Sequence, residues 1–359
     1  MRLKEKYRFL SALCVFALLL GGCGIRKKTE IILTTDFKDE EVFRIEDSSC
    51  YLPEVMVYLV NSENRYDEIF GEKIFEVPLG DGTVGDAYKE TILARIAQIK
   101  VMNLLADDYG LELDESELEK ADAAADEYFR SLNADEVETM NVSVDTIRQL
   151  YREFAVADKL YRTITEAVQP EISDDEARAV TVKSILVKTY SVTSGGTRIE
   201  YTQQQKDDAL DRIGDALAKI KAGTDFDIVA ADYNEEPEYI YTFGRGVMPQ
   251  AFEDAAFSLS NGEVSGIVET EYGYHILMCT SFFNREETDA NKAGILKARQ
   301  QEEFNRIYDE YVQTLVSNLN LPLWESVTYQ KRPTVNTTGF FDVYDRYFAP
   351  AEETVSTHS

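Results

Sequence analysis

Few residues in this chain can do chemistry, and their types narrow the reaction. The chain has 359 residues and two histidines, His275 and His358. It holds no H-E-x-x-H, and one histidine outside the C-terminal tail excludes a zinc hydrolase. Four cysteines are present: Cys14, Cys23, Cys50 and Cys279. Cys50 and Cys279 suffice for one bridge but not for a disulfide framework. Cys279 sits in an apolar strand and reads as a buried free thiol. The informative stretch is apolar and runs from 243 to 275, FGRGVMPQAFEDAAFSLSNGEVSGIVETEYGYH. Met248 and Phe252 are four residues apart, so on a helix both face one pocket. In isolation such a pair is ordinary core packing. Gly244 and Gly246 make a turn before it, and Asn261-Gly262 a second turn after it. A β-branched strand (Val264, Ile267, Val268) and a closing strand, YGYHILMC, follow.

This pattern resembles the parvulin-type peptidyl-prolyl isomerases. The family pattern is RG-x-M-x-x-x-F-E-x-A-x-F, then GE-x-S-x-x-V-x-T, then G-x-H-I. Here it is carried by Arg245, Gly246, Met248, Phe252, Glu253, Ala255 and Phe257, then by Gly262, Glu263, Ser265, Val268 and Thr270, then by Gly273, His275 and Ile276. The resemblance implies catalysed rotation about X–Pro bonds. Amide resonance sets that barrier at about 20 kcal/mol. No bond to another atom forms, so no nucleophile, metal or cofactor is required. Apolar walls must grip the ring, exclude water and favour the twisted amide.

By the same resemblance Met248 and Phe252 form the floor for the proline ring, and Ile240 a third wall. His275 matches the second of two histidines that anchor a hydrogen-bond network beneath the site. The chain departs from the family on the polar side. Ser184 stands where the first histidine belongs, and serine is expected to be too short to span that network. Glu236 takes the place of a loop Cys or Asp. PEYIY (237–241) replaces a glycine-rich turn. The expectation is an isomerase of reduced activity; the alternative is a non-catalytic holdase with a degenerate parvulin domain.

These residues need elements to hold them. The run 179–188, AVTVKSILVK, alternates and is β-branched, as a central strand should be. Helices follow at 202–222 and 226–231, then the stretch above. The order β-α-α-loop-α-β-β predicts a compact α+β domain over 175–285. Before it, 42–45 reads as a short strand and a helix starts near 53. An amphipathic helix covers 84–108. Asp114 with Glu117 makes a capping box, Ser143 starts another helix, and Pro170 ends the block. With the long helix after 289, this arrangement resembles the helical chaperone domain of SurA-like and PrsA-like foldases. The expected fold class is α+β, with a helical domain at 42–170 plus 289–325 beside the parvulin domain. A solute-binding lipoprotein would need repeated βαβ units, which the helical block argues against.

The first 22 residues read as a secretory signal: a basic start, then an apolar run at 9–20 too short to span a bilayer permanently. The run ends in Leu20-Gly21-Gly22-Cys23, which resembles a bacterial lipobox and implies lipid attachment at Cys23. Residues 23–41 are a polar tether. Residues 331–359, rich in Thr, Glu and Ser, are expected to be a flexible tail, with GFFDVYDRYF (339–348) as a docking candidate. The formal charge is −29, which argues against nucleic acid as a partner. The expected partners are unfolded secreted polypeptides with X–Pro segments, the membrane through the lipid, and a second copy in a homodimer. The expected place is the extracytoplasmic face of the cell membrane.

Overall fold

The computed structural model describes residues 37–328 and 332–348. The expected signal, Cys23 and nearly all of the tether lie outside them. The chain divides into two compact units, with breaks after Ala167 and after Gln301. No helix among the described residues is long and apolar enough to cross a membrane.

The first unit opens with the hairpin β1 (Glu41–Ile45) and β2 (Ser48–Tyr51), followed by α1 (Leu52–Phe70). Pro53 suits the first turn of α1, where its missing N–H leaves no bond unmade. A two-stranded ribbon, β3 (Pro78–Leu79) and β4 (Gly82–Thr83), leads into α2 (Val84–Asp108). Thr83 and Asp86 cap that helix reciprocally. Next come α3 (Glu115–Ser131), α4 (Ala134–Met140) and α5 (Val144–Ala167). The sequence reading did not foresee β2 or α4. Lys100 of α2 is buried, with its Nζ 2.7 Å from Glu54 Oε2 on α1 and 2.7 Å from Glu153 Oε1 on α5. One ammonium therefore joins three helices.

The second unit begins with the short helix α6 (Asp174–Ala177), and β5 (Val180–Lys188) follows. The hairpin β6 (Tyr190–Val192) and β7 (Arg198–Glu200) precedes α7 (Gln203–Lys221) and α8 (Phe226–Tyr233). Then come β8 (Ile240–Phe243), α9 (Gln250–Ser258), β9 (Val268–Thr270) and β10 (Gly273–Ser281). The sheet order is β8-β5-β10-β9, every pair antiparallel. Side chains alternate between faces, so the sheet carries two apolar clusters. Ile185, Val187, Tyr274 and Ile276 meet α7 and α8 on one face. Val180, Val182, Phe243, Leu277 and Cys279 meet α9 on the other. The fold is thus α+β, a helical unit and a sheet unit, in line with the sequence reading. Cys50 and Cys279 are both buried free thiols.

Helix α10 (Arg285–Val312) ends the second unit and re-enters the first, where β11 (Ser317–Leu319) pairs with β1, Phe43 opposite Leu319. The short helix α11 (Leu321–Ser326) buries Trp324. The stretch 331–359, expected to be a flexible tail, carries α12 (Phe340–Phe348) in its described part. Phe340 is 1 % exposed, stacked on Tyr151 at 4.5 Å and edge-on to Tyr58 and Tyr128. Its N–H donates to Asn61 Oδ1 at 3.1 Å, and Tyr151 Oη donates to its carbonyl at 2.6 Å. The docking candidate at 339–348 supplies an apolar stripe, Phe340, Val343 and Tyr344, at helical spacing, which the flexible-tail reading of the whole stretch did not place. Replacing Phe340 by Ala is expected to lower the stability of the helical unit by about 3–5 kcal/mol. Denaturant unfolding followed by tyrosine fluorescence or circular dichroism checks this; an unchanged midpoint would show that α12 is dispensable packing.

Candidate functional site

The long antiparallel pair β5–β10 positions the polar centre. Ser184 lies opposite Leu277, and His275 opposite Leu186. Paired residues share a face, so Ser184 and His275 both point to the side covered by α9. The Ser184 hydroxyl is 3.3 Å from His275 Nδ1, and the Thr270 hydroxyl is 2.8 Å from His275 Nε2. Serine was expected to be too short to join this network. It does reach the ring, because the register sets it diagonally across from the histidine. Burial pulls the imidazole pKa down to about 4. At neutral pH the ring is therefore neutral, with one donor nitrogen and one acceptor nitrogen, and a hydroxyl can serve either.

The turn that carries Thr270 is held tightly. Tyr272 N–H donates to Thr270 Oγ1 at 3.1 Å. Gly273 has φ +140°, and a Cβ there would lie 2.2 Å from the Val187 carbonyl oxygen. Only glycine lets β10 start this close to β5. Ser265 replaces a ladder partner: its hydroxyl accepts Leu277 N–H at 2.8 Å, and its N–H donates to the Leu277 carbonyl at 2.8 Å.

The apolar floor comes from α9 and the segments before it. Phe252 is 4 % exposed and meets His275 edge-on at 5.1 Å. Met248 packs on the same cluster while remaining half-buried. It does not lie on the helix, as its spacing suggested. Pro249 is the N-cap, so Met248 belongs to the incoming turn. That turn is fixed by Gly246, at φ +79°, whose N–H donates to the buried Glu253 carboxylate. Arg245 lies over the Phe257 ring, 4.3 Å from its centroid.

Two expected site residues stand elsewhere. Ile240 pairs with Lys183, which alternation puts on the face opposite Phe252, and it is 52 % exposed. Its neighbour Tyr241 pairs with Val182 and turns to the α9 side, with its ring 6.2 Å from that of Phe252. Tyr241, and not Ile240, therefore stands beside Phe252. The Glu236 carboxylate lies 2.8 Å from Lys188 Nζ. Ser184 and Thr270 occupy both ring nitrogens of His275, which leaves none for Glu236. Sequence reasoning missed the placement of Tyr241 beside Phe252 and of Thr270 on His275. The available signals were the V-x-T pattern for Thr270 and the period of two along β8 for Tyr241.

Residues 185–281 match the family model described as Rotamase, the PPIC-type PPIASE domain. The sheet unit is a parvulin-type domain of that class. The chain is similar to Foldase protein PrsA 4 of Bacillus cereus, 29% identical over 111 residues, which are 29% of this chain and 40% of that protein. Similarity to the Foldase protein PrsA of Clostridium botulinum extends over 344 residues at 23% identity, 87% of this chain and 95% of the relative. Among solved structures, the peptidylprolyl isomerase PrsA from Bacillus cereus aligns at 17% identity, over 88% of this chain and 99% of that one, with a TM-score of 0.35. The first curated relatives are matched over 25% to 40% of their own length.

The buried imidazole makes stability depend on pH. Its folded pKa, about 4, lies below the usual 6.5. The unfolded chain therefore binds the proton first, and stability falls as pH drops from about 6.5 to about 4, by on the order of 2–3 kcal/mol. His275→Gln is expected to flatten that decline in unfolding curves taken across the window. An unchanged slope would show that the imidazole titrates alike in both states.

Proposed function

We propose that this chain is a peptidyl-prolyl cis-trans isomerase and foldase acting on unfolded secreted polypeptides. The observation that carries the reading is the His275 centre, bridged by Ser184 and Thr270 beside Phe252, Met248 and Tyr241. It lies inside the segment that matches the rotamase model. The names of the curated relatives, each a foldase protein PrsA, support the wider role.

The work follows from the chemistry of the bond. Planar amides are strongly dipolar, and twisting breaks the resonance that makes them so. A prolyl ring seated on an apolar floor loses water around the amide, which disfavours the planar states more than the twisted one. The neutral imidazole is no nucleophile here; it holds two hydroxyls and the edge contact of Phe252. A hydrogen-bonded centre rebuilt with hydroxyls weighs against the non-catalytic holdase.

The test is acceleration of cis-to-trans exchange in X–Pro peptides by the whole chain. Met248→Ala should lower kcat/KM by roughly tenfold, since full burial of such a side chain contributes about 1.5–3 kcal/mol and this one is half-buried. Circular dichroism should be unchanged, because Met248 stands at the cluster's edge. No acceleration by the wild-type chain would overturn the isomerase reading.

We further propose that lipid on Cys23 holds the protein at the outer face of the cytoplasmic membrane. The support is the short apolar run ending in Leu20-Gly21-Gly22-Cys23. Cys23→Ser should move the protein to the soluble fraction or leave it unprocessed. A mutant that stays membrane-bound with a lipid-modified N-terminus would refute the anchor.

A further inference from the structure

The acidic loop before β8 ends at the pocket wall. Tyr241, whose ring faces Phe252, donates its hydroxyl hydrogen to the Glu238 carbonyl at 2.8 Å. The segment that carries Glu238 is thus tied to the pocket's own wall. Burial first, and then the carboxylates of Glu236 and Glu238, hold the Tyr241 hydroxyl above its usual pKa. Both charges are therefore close enough to be felt at that ring.

The charges in this region are not equivalent. Lys188 neutralises Glu236 at 2.8 Å, and on the other face of the sheet Lys183 meets Asp227 at 2.5 Å. Arg212 is engaged by Glu235. Glu238 is exposed, and its carboxylate has no cation partner among the described residues. Lys188, the cation nearest this wall, is spent on Glu236, while the Glu238 carboxylate stays uncompensated among the described residues. An acidic side chain arriving next to the proline would meet a like charge; a basic one would complete the set.

We propose that Glu238 is a specificity-determining residue, selecting prolines flanked by a Lys or Arg side chain over those flanked by Glu. The inference rests on the reading of this pocket as a proline site and names the sequence class that it prefers. The interaction is exposed, so it acts mainly through encounter and weakens with salt.

The experiment compares the peptides Ala-Xaa-Pro-Phe with Xaa as Lys, Gln or Glu, using the whole chain. Exchange is read by NMR without a coupling protease, and affinity by titration of the same peptides. The expected order of kcat/KM is Lys, then Gln, then Glu. The Lys-to-Gln ratio should be roughly 3–10 at low ionic strength and fall towards one at high salt. Glu238→Gln should bring that ratio close to one already at low salt, and it keeps the backbone carbonyl that Tyr241 uses. Equal rates for the three peptides, a preference for Glu, or a ratio untouched by Glu238→Gln would overturn the proposal. If no peptide is accelerated, the isomerase reading fails, and the same ranking in the titrations still decides the preference. Equal affinities, or none measurable, would then overturn it as well.

Discussion

The pairing of β5 with β10 is the constraint on which the site depends. Its register places Ser184 opposite Leu277 and His275 opposite Leu186. A slip of one residue would send every side chain of one strand to the other face. His275 would then leave Phe252 for the side of α7 and α8, and both apolar clusters would be broken together. Three features pin the register. Gly273 admits a backbone approach that no other residue tolerates. Ser265 supplies two bonds to Leu277 where a strand partner is lacking. The alternating apolar side chains of both strands fill two separate clusters at once.

The polar centre is built on one buried imidazole and two hydroxyls. Imidazole needs one acceptor and one donor when neutral, and burial keeps His275 neutral. Hydroxyls of Ser184 and Thr270 meet both needs, because each can donate or accept. The substitution of serine for a family histidine therefore changes the size of the polar side without leaving a buried nitrogen unpaired, which would be the expensive outcome. Glu236 and Ile240 lie off this centre, one tied to Lys188 and the other turned to the far face.

The helical unit is held by two buried features of different kinds. The Lys100 ammonium links carboxylates on α1 and α5, and removing it would leave the buried Glu54 carboxylate uncompensated. The Phe340 ring sits among three tyrosines, and its backbone is bonded to Asn61 and Tyr151. Through these contacts the far end of the chain becomes part of a core that the N-terminal helices began. The return of β11 to pair with β1 does the same for the sheet of that unit.

Much was legible in the residues alone. Helix α2 follows its periodicity, and the starts of α3 and α5 follow Asp114 and Ser143. These are local effects, set by side chains within a turn of one another. The parvulin pattern and the burial of Phe252 were legible for a related reason, since turn glycines and core residues stand at fixed spacing. Tertiary structure decided what depends on partners distant in sequence. Whether Tyr241 or Ile240 faces Phe252 depends on which residue of β5 each one pairs with. Whether Ser184 reaches His275 depends on a diagonal across two strands. Whether 340–348 forms a docked helix depends on a slot between Tyr58, Tyr128 and Tyr151. Periodicity shows that a stripe exists, but only the partner surface determines which way it turns and whether burying it outweighs the entropy of ordering the chain.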